Sequence, residues 1–177
     1  MKKLFFTSLL LVILLNRMQA QEMSIRVDNN SKESSNNDGD KTLVTGSDGS
    51  TASINDIHVK AVRDFLKACK KAESSHWYID ADGFFVYYLN EGNRARRFYD
   101  KKGNFIYSIL FYPGHFLSAD IKDKVKSTYY LDYTITRVEE VFLKGETIYF
   151  VHIEDPSCFK ILRISGSEME TISEMFK

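Results

Sequence analysis

The alternation of apolar and polar positions after residue 55 reads twice as a helix followed by short strands. Val59, Val62, Leu66 and Cys69 recur at helical spacing with Phe65 beside them, while Lys60, Arg63, Asp64, Lys67, Lys70 and Lys71 face elsewhere. Ser53, Asn55 and Asp56 offer capping oxygens at the helix start, and the basic last turn suits the negative end of the helix dipole. Strand-like runs follow at 76–81, 84–90, 94–99 and 105–112, separated by Asp82-Gly83, Asn90-Glu91-Gly92-Asn93 and Asp100-Lys101-Lys102-Gly103. Such Asx- and Gly-containing links are hairpin chemistry, because glycine accepts the positive φ that tight turns require. Pro113-Gly114 closes this unit. Ser118 and Asp120 open a second helix with Ile121 and Val125 on its buried stripe, followed by strands at 133–143, 147–154, 158–164 and 168–172. The expected fold is α+β: tandem helix-plus-antiparallel-strands repeats, about 56–112 and 117–177, pooled into one sheet with the helices on one face.

The N-terminus adds a compartment. Lys2 and Lys3 precede an apolar run from Leu4 to Leu15, and the polar stretch 16–20 ends in Ala20, the pattern of a signal peptide cleaved before Gln21. The apolar run is too short for the ~20 residues that a membrane span needs, so the mature chain is expected to be periplasmic or secreted, without a membrane span. Loss of Lys2, Lys3 and Arg17 leaves 21 basic against 24 acidic residues, a net charge of −3. That balance lacks the basic footprint of a nucleic-acid binder. Residues 21–55 are rich in Asn, Ser, Asp, Gly and Thr, which reads as a disordered linker to a single domain at 56–177.

The segments Trp77…Asp82-Gly83, Phe98-Tyr99-Asp100-Lys101-Lys102-Gly103-Asn104-Phe105-Ile106-Tyr107 and Val125-Lys126-Ser127-Thr128-Tyr129-Tyr130 resemble exported PepSY-like proteins of Bacteroidetes. Val138-Glu139-Glu140-Val141 and Lys160-Ile161-Leu162-Arg163-Ile164 share in the resemblance. It implies the fold of the β-lactamase-inhibitor protein, helix-plus-sheet repeats whose exposed sheet face is concave. It supplies no catalytic residues, and inhibitory activity does not follow from a shared fold.

No catalytic signature stands out, and the expectation is a non-enzymatic protein without cofactor or metal. His58, His76, His115 and His152 have no metal-ligand spacing, and there is no Gly-x-Ser-x-Gly elbow. Glu139 and Glu140 are adjacent on a strand and so point to opposite faces. Cys69 and Cys158 are either a disulfide, as an oxidising compartment permits, or two small buried hydrophobes.

The aromatic residues carry the functional expectation. Both 84–89 and 105–112 are apolar on both parities, whereas a sheet covered on one side usually shows polar residues on the other. Counting large residues places Phe105, Tyr107, Ile109 and Phe111 toward the helices and Phe85, Tyr87 and Tyr112 on the open face. Arg94, Arg96 and Arg97 lie on the strand between. Tyr with Arg is the composition of binding hot spots, so this face is expected to recognise a protein, peptide or envelope component. The alternatives are a protease- or enzyme-inhibiting module on the same face, a homodimer surface of a structural envelope protein, or additional core.

Overall fold

The computed structural model describes residues 43–46, 52–129, 132–143 and 145–177. The expected signal peptide and residues 21–42 and 47–51 of the expected linker lie outside the described residues. Among the described residues, nine strands form one sheet in strict chain order: β1 (Leu43–Thr45), β2 (Ala72–Asp80), β3 (Gly83–Asn90), β4 (Asn93–Asp100), β5 (Phe105–Pro113), β6 (Thr134–Leu143), β7 (Glu146–Glu154), β8 (Cys158–Ser165) and β9 (Glu168–Phe176). Helix α1 (Val59–Ala68) precedes β2, and α2 (Ala119–Tyr129) joins β5 to β6. All pairs are antiparallel except β1–β2, which is parallel because α1 carries the chain across between them. Residues 43–45 are thus an edge strand and not spacer: Val44 is buried, and the Ala52 amide donates to its carbonyl.

The register assigns the two faces. Side chains on directly paired residues point the same way, so Trp77, Val86 and Arg97 share a face, as do Tyr112, Val138, Val151 and Leu162 in the second half. The first set packs beneath Ile57, Ala61 and Phe65 of the α1 segment, the second beneath Leu117 and Val125 of the α2 segment. Continuity of the register puts both helices on one side of the sheet.

Helix α1 turns inward most of the stripe its sequence suggested, Val62, Phe65 and Cys69, joined by Ala61 in place of Val59 and Leu66. Ala61 and Phe65 are buried, whereas Val59 and Leu66 are exposed, Leu66 at 65 %. The cause is close approach. A Cβ on Gly103 would stand 2.9 Å from the Ala61 amide nitrogen, so the helix sits hard against the β4–β5 turn and presents its smallest residue there. Ser53 builds its reciprocal capping box on the short turn Ile54–Asp56, and the ring of His58 accepts the Lys60 amide to cap α1 itself.

Turn carboxylates close the hairpins. Glu91 and Gly92, at φ 51° and 78°, make the left-handed pair that a two-residue hairpin needs. Between β7 and β8, Asp155 Oδ1 accepts from the Ser157 amide, the Ser157 hydroxyl and the Cys158 amide. These donors, led by the Ser157 hydroxyl, hold the Asp155 carboxyl far below the usual carboxylate range. A depressed folded value stabilises the native state above the unfolded value of about 3.9 and is lost as the pH falls through the folded one. Asp155→Asn is therefore expected to lower the melting temperature at neutral pH. Its gap to the wild type should close as the pH drops below about 4, as checked by thermal melts across that range.

Candidate functional site

The face opposite the helices carries three cross-strand rows. One is Tyr78, Phe85, Phe98 and Tyr107, and the next is His76, Tyr87, Arg96, Ile109, Val141 and Ile148. The third runs Leu89, Arg94, Phe111, Glu139, Phe150 and Arg163. No described helix or strand lies over these rows. Rings meet across strands: Phe85 and Phe98 have centroids 4.4 Å apart, Phe98 and Tyr107 5.4 Å, and Tyr78 stands edge-on to Tyr87 at 5.2 Å. Burial of the His76 ring lowers its pKa, and Nε2 shares a 2.9 Å hydrogen bond with the Thr45 hydroxyl.

Arg96 sits among these rings. It is only 7 % exposed, its Nε is fully enclosed without a hydrogen-bond partner, and among the described residues no carboxylate pairs with it. Its guanidinium carbon stands 6.0 Å from the Phe111 ring centroid, a loose cation–π contact. Of the other charges on this face, Arg94 is exposed to solvent, while Glu139 and Arg163 have ionic partners, although the Arg163 Nε is likewise enclosed without a hydrogen-bond partner. Glu139 Oε1 is 3.2 Å from His152 Nε2 and 3.4 Å from Arg137, and the Arg163 guanidinium is 3.2 Å from Glu170. An enclosed donor without a partner costs on the order of 1–3 kcal/mol, more when charged.

Of the residues expected here from sequence, Phe85, Tyr87, Arg94 and Arg96 share the open face, and Arg97 and Tyr112 do not. Arg97 points to the helix side, where its guanidinium lies 3.0 Å from Asp64 and its Nε donates to the Tyr99 hydroxyl. Tyr99 in turn donates to the same Asp64 oxygen, so Arg97 ties α1 to the sheet. Strand alternation alone forbids neighbouring Arg96 and Arg97 from sharing a face. Tyr112 lies under α2 and donates a 2.8 Å hydrogen bond to Glu140, while burial first and that carboxylate second raise its pKa.

The parity of β5 also differs from the count of large residues. Phe98 pairs with Tyr107 and Tyr99 with Phe105, leaving Ile106 as a bulge. Phe105 thereby joins the helix side, and Tyr107, Ile109 and Phe111 go to the open one. Residue size could not discriminate, because lateral packing in the middle of a wide sheet buries both faces. Phe98, Tyr107, Phe111 and His76 were missed as site residues; Phe98 was readable, since it shares the parity of Arg94 and Arg96.

Cys69 and Cys158 are free thiols, 3.4 Å from the hydroxyls of Tyr88 and Tyr133 respectively. Among the described residues no three His, Cys, Asp or Glu side chains gather to hold a metal ion, and no helix is long and apolar enough to cross a membrane.

A sheet in chain order with two helices on one side has counterparts among solved structures. A BLIP-like protein from Bacteroides fragilis superposes with a TM-score of 0.51 at 15 % identity, over 66 % of this chain and 84 % of that one. The fold is BLIP-like. A DUF2874 family protein from Bacteroides ovatus gives a TM-score of 0.54 at 13 % identity, covering 66 % of this chain and 88 % of its own. A protein from Bacteroides eggerthii, provisionally described as periplasmic, gives 0.54 at 10 % identity over 68 % and 88 %. At these identities the likeness concerns the BLIP-like fold alone. No family model and no curated protein sequence matches the chain.

Proposed function

We propose that the protein is a non-enzymatic binding module of the periplasm whose open sheet face receives an acidic side chain of a protein or peptide partner. The observation that carries this reading is Arg96, 7 % exposed among aromatic rings, with an enclosed unpartnered Nε and no carboxylate partner among the described residues. A partner carboxylate reaching it over Phe85, Tyr87 and Phe111 would supply the missing acceptor, and the rings would supply contact area. The signal peptide, the PepSY-like kinship and the two-repeat organisation belong to the same reading, and the BLIP-like fold supports a scaffold that presents a sheet face. Inhibition of an enzyme would be one use of such a face.

The test joins stability to binding. Arg96→Met removes a buried uncompensated charge while keeping most of the volume, so it is expected to stabilise the fold by about 1–3 kcal/mol in denaturant titration. The same variant, and a Phe85→Ala/Tyr87→Ala pair, should fail to enrich the acidic peptides that wild type selects from a random display library. A variant as stable as wild type that still selects the same peptides would refute the reading. Concentration-dependent dimerisation lost in the aromatic pair would point to a self-associating face instead.

A further inference from the structure

The helix-bearing face holds a second feature, independent of the open face. One cross-strand row there runs Tyr88, Ala95, Leu110, Glu140, Tyr149 and Ile164. Tyr88 packs against the α1 cluster, and Tyr149 and Ile164 belong to the α2 cluster. The middle of the row lies where the two helical covers end, and a cleft of about 370 Å³ opens there, adjoined by a smaller one of about 190 Å³. Leu110 and Glu140 line both.

Glu140 is the charge on this floor. Its Oε2 accepts the Tyr112 hydroxyl at 2.8 Å, and among the described residues neither oxygen has a lysine, arginine or histidine partner. Its negative charge is felt by its neighbours, adding to the upward pKa shifts that burial imposes on Tyr112 and Tyr149. The other acid of the lining, Glu91 at the rim, is already neutralised by Lys71 at 2.6 Å. Around Glu140 the lining is aromatic: Tyr112, Tyr149 and the 63 % exposed Phe116 in the larger cleft, Tyr88 and Phe142 in the smaller.

A carboxylate without a cationic partner among the described residues, in a cleft lined by aromatic side chains, is complementary to a cation on an apolar stem. The volume lies at the low end for ligand pockets and suits a slender group better than a fused-ring one. We infer that the Glu140 cleft is a binding site for a primary alkylammonium group, a lysine side chain or a free linear diamine. The ammonium donates to Glu140 Oε1, and Tyr149 and Phe116 cover the methylenes. Tyr112 holds the carboxylate from the other side and fixes its orientation.

The test uses the whole mature chain, with 1,5-diaminopentane and a short peptide bearing one internal lysine as probes, followed by NMR shift perturbation. Saturable binding of either probe is expected with shifts centred on Leu110, Tyr112 and Tyr149; whichever binds tighter identifies the source of the ammonium. Glu140→Gln keeps the size and an acceptor for Tyr112, and should weaken binding at least tenfold while leaving the fold intact. Phe116→Ala, at an exposed position, should weaken it several-fold. Arg96→Met, on the opposite face, should leave it unchanged, so this site and the open-face reading stand or fall separately. The inference is overturned if neither probe binds wild type at millimolar concentration, or if Glu140→Gln binds equally well.

Discussion

Trp77→Ala is expected to lower the unfolding free energy by about 3–5 kcal/mol, the range for deleting a fully enclosed large aromatic side chain. The indole is 1 % exposed and occupies the centre of the α1 cluster. Phe65 from the helix stands edge-on to it at 5.5 Å, and Tyr99 stacks beside it at 5.9 Å. Its strand neighbours on either side, Val44 and Val86, are buried as well. The hole left by truncation therefore borders α1, β1, β3 and β4 together and cannot collapse by moving one of them. For a domain of this size, the melting temperature should fall by roughly 10 °C or more. Trp77 is the only tryptophan of the chain, so far-ultraviolet circular dichroism must follow the transition in place of intrinsic fluorescence. A midpoint within a degree of wild type would contradict the assigned packing.

Gly114→Ala comes next, and here two effects of opposite sign compete. Gly114 does not lie in the left-handed region, so alanine would ordinarily stabilise by reducing the freedom of the unfolded chain, by about 0.4–1 kcal/mol. The site denies it room. A Cβ at Gly114 would stand 2.2 Å from the Ile135 carbonyl oxygen and 2.8 Å from its carbonyl carbon. Both are backbone atoms of β6, which cannot move without disturbing its pairing with β7. Overpacking of this kind costs about 1–3 kcal/mol, so the clash wins and the variant is expected to lose about 1–2 kcal/mol net. Gly92 is the natural control, with φ 78° and no atom near its missing Cβ. Gly92→Asn, which tolerates that conformation, should change stability by less than about 1 kcal/mol. Denaturant titration of the three proteins decides: equal losses at the two glycines would mean that backbone conformation, not close approach, governs Gly114.

Several elements were legible because local chemistry specifies them. The eight strands from β2 onward follow their apolar runs, and Asp-Gly and Glu-Gly-Asn turns sit where left-handed or Asx-capped backbone is required. Val125 lies on the buried stripe its spacing indicated, and Glu139 and Glu140 do point to opposite faces. On β3, alternation correctly separates Phe85 and Tyr87 from Phe84 and Val86. What failed to read through depends on partners distant in sequence. Three residues of a polar segment become β1 only because β2 offers a parallel edge. Spacing indicated Val62, Phe65 and Cys69 on the inward stripe of α1, but not Ala61, which the close approach of Gly103 places there.

The sequence by itself determined the α+β class, the succession of helix and hairpins, and the exceptional density of Tyr, Phe and Arg on β3 to β5. It could do so because turn propensity and apolar periodicity act over a few residues. Only the tertiary structure decided which of those side chains share a face. A single bulge at Ile106 reverses the parity of β5 relative to Phe105 and sends Tyr107, Ile109 and Phe111 to the open side. Cross-strand register likewise leaves Arg96 without a carboxylate partner among the described residues while pairing its neighbour Arg97 with Asp64. It also sets Glu140 in the gap between two helical covers. Charge compensation and the floor of a cleft are relations between strands, and no local pattern encodes them.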